Sequence, residues 1–310
     1  MMINVHNSKN LLTTMNMNEE VRNGYTVSAQ MKKVWSIQMD LLSKILEVCH
    51  DNGLKIWVDG GTLLGTIRHH GYIPWDDDID LLMLREDYDH LLQIVENQPL
   101  PPPYFLQTAY TDKFYLHGHA QLRYDGTAAI LPHELHCKFH QGIFIDIFVH
   151  DTLPKDGNTL VHSMLKAETL RKLMEWRSLF RFSLSNWRAS LRWLASVAYF
   201  TFHDFRKTYT KFENCYAHYD GEPSDMVSCP CFFAASVLKF RHRRELFNET
   251  IMMPFEDMMV PVPAGYDEIL RNYYGDYMTP VKAPSMHGSV IFDTERSYKE
   301  VIKELRKGQR

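Results

Sequence analysis

The chain has 310 residues, a formal net charge of −4 and 23% charged residues. That length buries a substantial core, as one large domain or two smaller ones, and the mildly acidic balance excludes a general polyanion binder, so no nucleic-acid partner is expected. The five cysteines, Cys49, Cys137, Cys215, Cys229 and Cys231, are odd in number and irregularly spaced; they suit free thiols in a reducing cytoplasm, not a disulfide framework. The opening stretch MMINVHNSKNLLTTMNMNEE lacks the basic-then-apolar layout of a signal peptide, and no apolar run reaches the ~18 residues of a spanning helix. A soluble cytoplasmic protein is expected.

Residues 1–28 are polar and without period, and read as a flexible N-terminal arm. Residues 29–50 read as a helix: Val34, Ile37, Leu41, Ile45 and Val48 recur at three- and four-residue steps. Asp51-Asn52-Gly53 ends it, with Gly53 as the residue beyond the cap. The next stretch, IWVDGGTLLGTIRHHGYIPWDDDIDLLML at 56–84, organises the rest. Ile56-Trp57-Val58 reads as a buried strand, Asp59-Gly60-Gly61 as a turn, and residues 62–67 as one or two helical turns. Arg68-His69-His70-Gly71 makes a basic corner. Asp76-Asp77-Asp78 then runs into a second strand at 79–84. Strand side chains alternate, so Asp78 and Asp80 share a face, with carboxylates about 7 Å apart. Such a pair repels itself unless neutralised. A divalent cation bridging to substrate phosphates relieves it, because Mg²⁺ takes one or two carboxylates plus phosphate oxygens and water. Gly60, Gly61 and Thr62 would let the backbone approach those phosphates with free amides at a helix start. Asp77 faces away from Asp78 and reads as a turn residue.

Residues 86–96 read as a helix (Tyr88, Leu91, Leu92, Val95), stopped by the proline run at 99–103. Strands are expected at 104–108, at 119–124 with Arg123, and at 143–149 with Asp146; a turn region follows at 151–156. Residues 159–218 have helical period, many basic residues and interleaved aromatics. Short strands and turns are expected over 227–262, a helix over 264–275 capped by Gly275, and a polar helix over 293–308. These readings divide the chain into an arm at 1–28, a core at 29–155, a helical insertion at 156–225 and a C-terminal part at 226–310 packing on the core.

Gly60-Gly61, Asp78-Ile79-Asp80 and Asp146 in GIFIDIFVHDTLP together resemble the LicD family, including its fukutin-related relatives, within the nucleotidyltransferase-fold superfamily. That pattern is a small-residue turn, an Asp-x-Asp on the next strand and a third acid on a later strand. A bare Asp-x-Asp would be weak evidence; IPWDDDID is specific, and residues 38–49, 122–127 and 261–278 extend the match. The resemblance implies an α/β (α+β) fold: a nucleotidyltransferase-like mixed sheet with flanking helices and a mostly helical addition. It also implies transfer of a phospho-alcohol from a cytidine diphosphate donor to a carbohydrate hydroxyl. The family's best-known bacterial role is phosphocholine transfer from CDP-choline to lipopolysaccharide or teichoic acid sugars, releasing CMP. On this reading Asp78 and Asp80 hold Mg²⁺ or Mn²⁺ on the diphosphate. Asp146 completes the metal site or takes the proton of the acceptor hydroxyl. Gly60, Gly61 and Thr62 cradle phosphate, and Arg68 and Arg123 neutralise it. CDP-ribitol or CDP-glycerol as donor, true nucleotidyl transfer, and a non-catalytic scaffold in glycan assembly are the rival readings.

Several features keep two readings. Asp146, between Ile145 and Ile147, must be paired, metal-bound or protonated; a salt bridge to Arg123 is the structural alternative. Trp75 and Tyr72 form either an aromatic wall for a quaternary ammonium or core packing. His133, His136, Cys137 and His140, with His117 and His119 nearby, invite zinc but lack a clean ligand pairing, as does Cys229-Pro230-Cys231. Residues 159–210 read first as a helical cap whose aromatics pack on the sheet. The second reading is a surface for an anionic membrane or a lipid-linked acceptor.

Overall fold

The computed structural model describes residues 15–113, 115, 118–179, 182, 185–217, 222–230, 234–281 and 290–308. Its first elements are a small hairpin, β1 (Glu20–Arg22) and β2 (Tyr25–Val27), inside the stretch read as an arm. The hairpin is tied down by ions: Glu20 meets the buried Lys32 ammonium at 2.7 Å, and Arg22 pairs with Glu256. Sequence periodicity misses three-residue strands, because alternation needs more positions to register.

Helix α1 (Ala29–Asp51) follows, with the Ser28 side chain accepting the Met31 N–H. It ends as expected: Gly53 sits at φ +67, and the N–H groups of Gly53 and Leu54 donate to the carbonyls of His50 and Cys49. Trp35, Leu42, Ile45 and Cys49 bury its inner stripe in the main core, where α1 packs across the strands that follow.

Among the described residues those strands form one seven-stranded mixed sheet. Its members are β3 (Trp57–Val58), β4 (Asp80–Leu84), β5 (Tyr104–Gln107), β6 (Ala120–Tyr124), β8 (Phe144–Pro154), β9 (Pro223–Ser228) and β10 (His242–Arg243). Between them lie α2 (Gly60–His69), α3 (Arg85–Asn97) and a short β7 (Ala128–Ile130), which pairs with β13 (Ile291–Asp293) outside this sheet. Strand β8 is the spine. Its first half runs parallel to β4 and antiparallel to β6; its second half pairs with β9. Strand β4 is apolar after Asp80, and β8 is buried along most of its length, because both faces are covered. The turn expected at 151–156 is strand up to Pro154, since its partner β9 lies some 70 residues away in sequence, at Ser228 opposite Asp151 and Val227 opposite Thr152.

The helical stretch is α4 (Gly157–Leu179), α5 (Trp187–Phe202) and α6 (Phe205–Glu213). It has its own core, built on Leu160, Met164, Met174, Phe205, Tyr209 and Phe212. The remainder is α7 (Ala234–Lys239), the hairpin β11 (Thr250–Phe255) and β12 (Met258–Pro263), α8 (Tyr266–Tyr274) and α9 (Tyr298–Gly308). The expected mixed α/β architecture with helices flanking the sheet is what the chain adopts. Among the described residues no helix is long and apolar enough to cross a membrane, and Cys49, Cys137, Cys215 and Cys229 are buried.

Candidate active site

Strand register brings two of the acids together. In the parallel pairing of β4 with β8, Asp80 stands opposite Asp146, two residues 66 apart in sequence. Asp78, just before β4, joins them: one carboxylate oxygen from each of Asp78, Asp80 and Asp146 lies within 4.8 Å of the others. Asp76, Asp77 and Asp78 satisfy the same condition, so Asp78 is common to both groups.

The approach loop is held from α1. The Trp35 indole N–H donates to the Asp76 carbonyl (3.1 Å), and the Gln38 amide donates to the Asp77 carbonyl (2.8 Å). From the other side, the start of α2 presses on the acids. The Asp59 N–H donates to the Asp80 carbonyl and the Asp80 N–H to Thr62 Oγ1 (2.8 Å). A β-carbon on Gly60 would sit 2.6 Å from Asp80 Oδ2, and one on Gly61 would sit 2.5 Å from Asp76 Oδ2. Gly60 also takes φ +51. Glycine is required here by close approach, and the approach sets the positive end of α2 beside the carboxylates.

Crowding of acids shows in their protonation. Burial and then the charge of Asp78 push the Asp76 carboxyl well above the usual carboxylate range. Burial likewise pushes Asp59 up to about 6, against hydrogen bonds from the Gly60 N–H and the Tyr273 hydroxyl that pull it down. Tyr274, at the end of α8, has its hydroxyl held protonated by desolvation and by the field of Asp80, Asp59, Asp76 and Asp78. A divalent cation fits such a place: the donors are all oxygen, as hard cations require, and their mutual repulsion is relieved by positive charge.

Asp146 is not salt-bridged to Arg123. Its Oδ1 meets His119 Nε2 at 2.9 Å and accepts from Gln121 Nε2 at 2.7 Å. Arg123 stands behind Gln121, donating from its three nitrogens to Gln121 Oε1, Gln107 Oε1 (2.7 Å) and the Gly142 carbonyl (2.8 Å). Since a guanidinium only donates, Gln121 must turn its oxygen to Arg123 and its NH₂ to Asp146. The Arg123 nitrogens are thus committed to protein oxygens, and Arg123 acts on the carboxylates through Gln121.

The other candidates fall as follows. Arg68, in the last turn of α2, donates to the Tyr277 carbonyl at 2.8 Å. It also interacts electrostatically with Tyr274, the residue the acids act on, so it borders the site. Trp75 is half-buried and lies edge-on to Tyr25 with centroids 6.1 Å apart. Tyr72 is core: buried, stacked on Trp35 at 4.3 Å, its hydroxyl donating to Gln38 Oε1. Thr127, at the end of the 122–127 stretch that extends the resemblance, staples backbone, between the Tyr124 carbonyl and the Ile143 N–H. Residues 136–140 are not helical, so His136 and His140 do not share a helix face; the helical piece nearby is a single 3-10 turn at Pro132–Glu134. His140 pairs with Asp125 at 2.7 Å. Among the described residues the two acidic groups are those able to hold a metal; His117 and Cys231 lie outside the described residues.

Sequence reasoning missed Trp35, Gln38, Gln121 and Tyr274, and took His119 for a zinc candidate. One signal was available. His119, Gln121 and Arg123 alternate through an expected strand, which puts three polar side chains on one face, and a face so polar inside a buried sheet needs a polar partner.

Residues 53–124 match the family model described as LicD/FKTN/FKRP, nucleotidyltransferase domain. Over 253 residues, 77% of this chain and 88% of the relative, the chain is 28% identical to the lipopolysaccharide cholinephosphotransferase LicD of Haemophilus influenzae. Over 50 residues, 16% of this chain and 10% of the relative, it is 40% identical to the ribitol 5-phosphate transferase FKRP of Homo sapiens. An uncharacterized protein of Rickettsia prowazekii is 38% identical over 95 residues, 31% of this chain and 32% of its own length.

Proposed function

The chain carries a LicD-family domain, and from that premise we propose that it is a metal-dependent transferase moving phosphocholine from CDP-choline to a hydroxyl of a cell-surface carbohydrate, with CMP as the leaving product. The observation that carries this reading is the convergence of the Asp78, Asp80 and Asp146 carboxylates, one oxygen of each within 4.8 Å of the others, at the start of α2. The likeness over 77% of the chain to a lipopolysaccharide cholinephosphotransferase supports choline as the alcohol. The likeness to a ribitol 5-phosphate transferase favours a second reading within the same chemistry, with ribitol phosphate as the group moved.

In this reading Asp78, Asp80 and Asp146 hold Mg²⁺ or Mn²⁺, which when bound neutralises the donor's diphosphate and the charge that develops on its leaving oxygen. The chain's own residues do the rest. Gly60 and Gly61 leave room for phosphate oxygens beside the backbone, and the free N–H groups at the start of α2 favour an anion there. Arg68, on the rim, adds a cation that stays charged. His119 and Gln121 fix Asp146, with Arg123 fixing Gln121. Trp75 offers an aromatic face to the donor's alcohol. The acceptor oxygen attacks the phosphorus that bears choline, the bond from that phosphorus to the CMP oxygen breaks, and the acceptor proton leaves to a carboxylate or to water. Attack at that phosphorus, not at the one bearing the nucleoside, distinguishes the reaction from nucleotidyl transfer.

The test is CMP release from CDP-choline, CDP-ribitol and CDP-glycerol in parallel, with Mg²⁺ or Mn²⁺. CMP from one donor, abolished by chelator and by Asp78→Asn, is the expected result. Neither CMP release nor metal-dependent binding of any CDP compound would leave the scaffold reading in its place.

A further inference from the structure

Helix α5 leaves a large apolar face uncovered. Its buried residues are Ser190 and Ser196. Trp193, Val197 and Phe200 are half-buried, but four of its large apolar residues face water: Trp187, Leu191, Leu194 and Phe202 are 62%, 55%, 45% and 85% exposed. At 100° per residue these four fall on one face of the helix, an unbroken apolar stripe along its length. The neighbouring α6 does the reverse and buries Phe205, Tyr209 and Phe212. The aromatics of this region therefore do not all pack on the sheet, as the sequence first suggested. Isolated exposed apolar side chains need no explanation, but a continuous stripe of them marks a contact surface.

Charge narrows the occupant. Arg188 and Arg192, both exposed and one turn apart, border the stripe, and α5 contains no aspartate or glutamate. A second copy meeting the same face through a two-fold axis would bring these arginines toward their own counterparts, with no acid on α5 to answer them. An anionic bilayer answers them directly. Apolar side chains enter the boundary of the acyl region while guanidinium groups meet lipid phosphates. The helix would lie in the interface, since no described helix is long and apolar enough to cross a membrane.

We propose that α5 docks this protein onto an anionic membrane surface through the Trp187–Leu191–Leu194–Phe202 stripe and the adjoining Arg188 and Arg192. The inference rests on α5 alone and stands apart from the transferase reading. The test is co-sedimentation of the full chain with vesicles of phosphatidylcholine containing phosphatidylglycerol, against vesicles of phosphatidylcholine alone. The expected result is preference for the anionic vesicles that weakens with added salt. Loss of one arginine weakens vesicle partition about five-fold, so Arg188→Ala with Arg192→Ala weakens it roughly twenty-five-fold. Leu191→Glu with Leu194→Glu abolishes it, and both double variants keep the parent's melting temperature because neither touches a buried side chain. Absence of binding to anionic vesicles overturns the proposal, as does binding that both double variants retain. A concentration-dependent dimer in sedimentation that Leu191→Glu with Leu194→Glu dissolves also overturns it, and assigns the stripe to a second copy.

Discussion

At the scale of single residues, the candidate site is held together against its own charge. Asp59 shows this with a definite sign. Its folded pKa, pushed up to about 6, lies above the 3.8 of an ordinary aspartate. An acid raised in this way binds its proton more tightly folded than unfolded. Its contribution to stability is present below about pH 4, is lost as pH climbs toward 6, and leaves a cost on the order of 3 kcal/mol at neutral pH. Asparagine keeps an oxygen for Tyr273 and never ionises. Asp59→Asn should raise the melting temperature at pH 7.5 in chelator by several degrees and change it little at pH 4. Equal effects at the two pH values would show that the Asp59 charge is not what costs. For Asp78 the trade runs the same way in stability and the opposite way in function. Removing one like charge from the cluster should leave the metal-free protein as stable or more so. CMP release, in contrast, should fall by about 10³-fold or more, since charge stabilisation on a phosphoryl centre supplies several kcal/mol.

At the scale of elements, what was legible was what short-range pattern dictates. The 29–50 helix with Gly53 beyond its cap, the strands around Asp80, Arg123 and Asp146, and the 264–275 helix follow from period and turn chemistry, because each is decided by neighbours three or four residues away. What was not legible depends on register. Nothing local says that Asp80 stands opposite Asp146, that Gln121 stands opposite Asp146 on the other side, or that Trp35 and Gln38 of α1 hold the aspartate loop by its carbonyls. Nor does the pair Gly60-Gly61 say why it is glycine until a β-carbon is seen to strike Asp80 and Asp76. The start of α2 therefore offers a clean separation. Gly61→Ala has an ordinary backbone conformation, so it should fold, while displacing Asp76; Gly60→Ala adds strain at positive φ worth about 1 kcal/mol. Thermal unfolding should rank Gly60→Ala below Gly61→Ala, and Mn²⁺ titration should find both weakened. Strand β6 makes a sharper case. Gln121→Leu removes the donor to Asp146 and leaves an Arg123 nitrogen facing an alkyl group. Partners that orient a ligand carboxylate typically govern 10–100-fold of metal affinity, and an orphaned buried donor costs roughly 1–3 kcal/mol. Both losses are expected together in Gln121→Leu; full Mn²⁺ affinity in that variant would remove Gln121 from the account of the site.

At the scale of the whole molecule, the question is how the sheet and the helical stretch after it are joined, since each has its own apolar core. Much of the answer is ionic. Arg85, at the start of α3, grips Asp151 of β8 with two hydrogen bonds, at 2.6 and 2.9 Å, and reaches Glu213 at the end of α6 at 3.3 Å. Asp151 is fully buried. Glu213 also accepts from the Tyr110 hydroxyl, and its carboxyl is raised by burial while Arg85 draws it down. One cation thus ties α3 and α6 to the same strand. Breaking a buried pair from one side costs about 3–5 kcal/mol, because the remaining charge stays desolvated. Arg85→Met should lower stability by that order in urea unfolding at pH 7.5. The pH dependence identifies the cause. Without Arg85 the buried carboxyls of Asp151 and Glu213 lose the group that favoured their charged forms, so their pKa values rise in the folded variant and protonation relieves the cost as pH falls. The deficit against the parent should therefore shrink between pH 7.5 and pH 5. A deficit equal at both pH values would assign the loss to side-chain packing, and one below about 1 kcal/mol would mean that the two cores are joined by apolar contact alone.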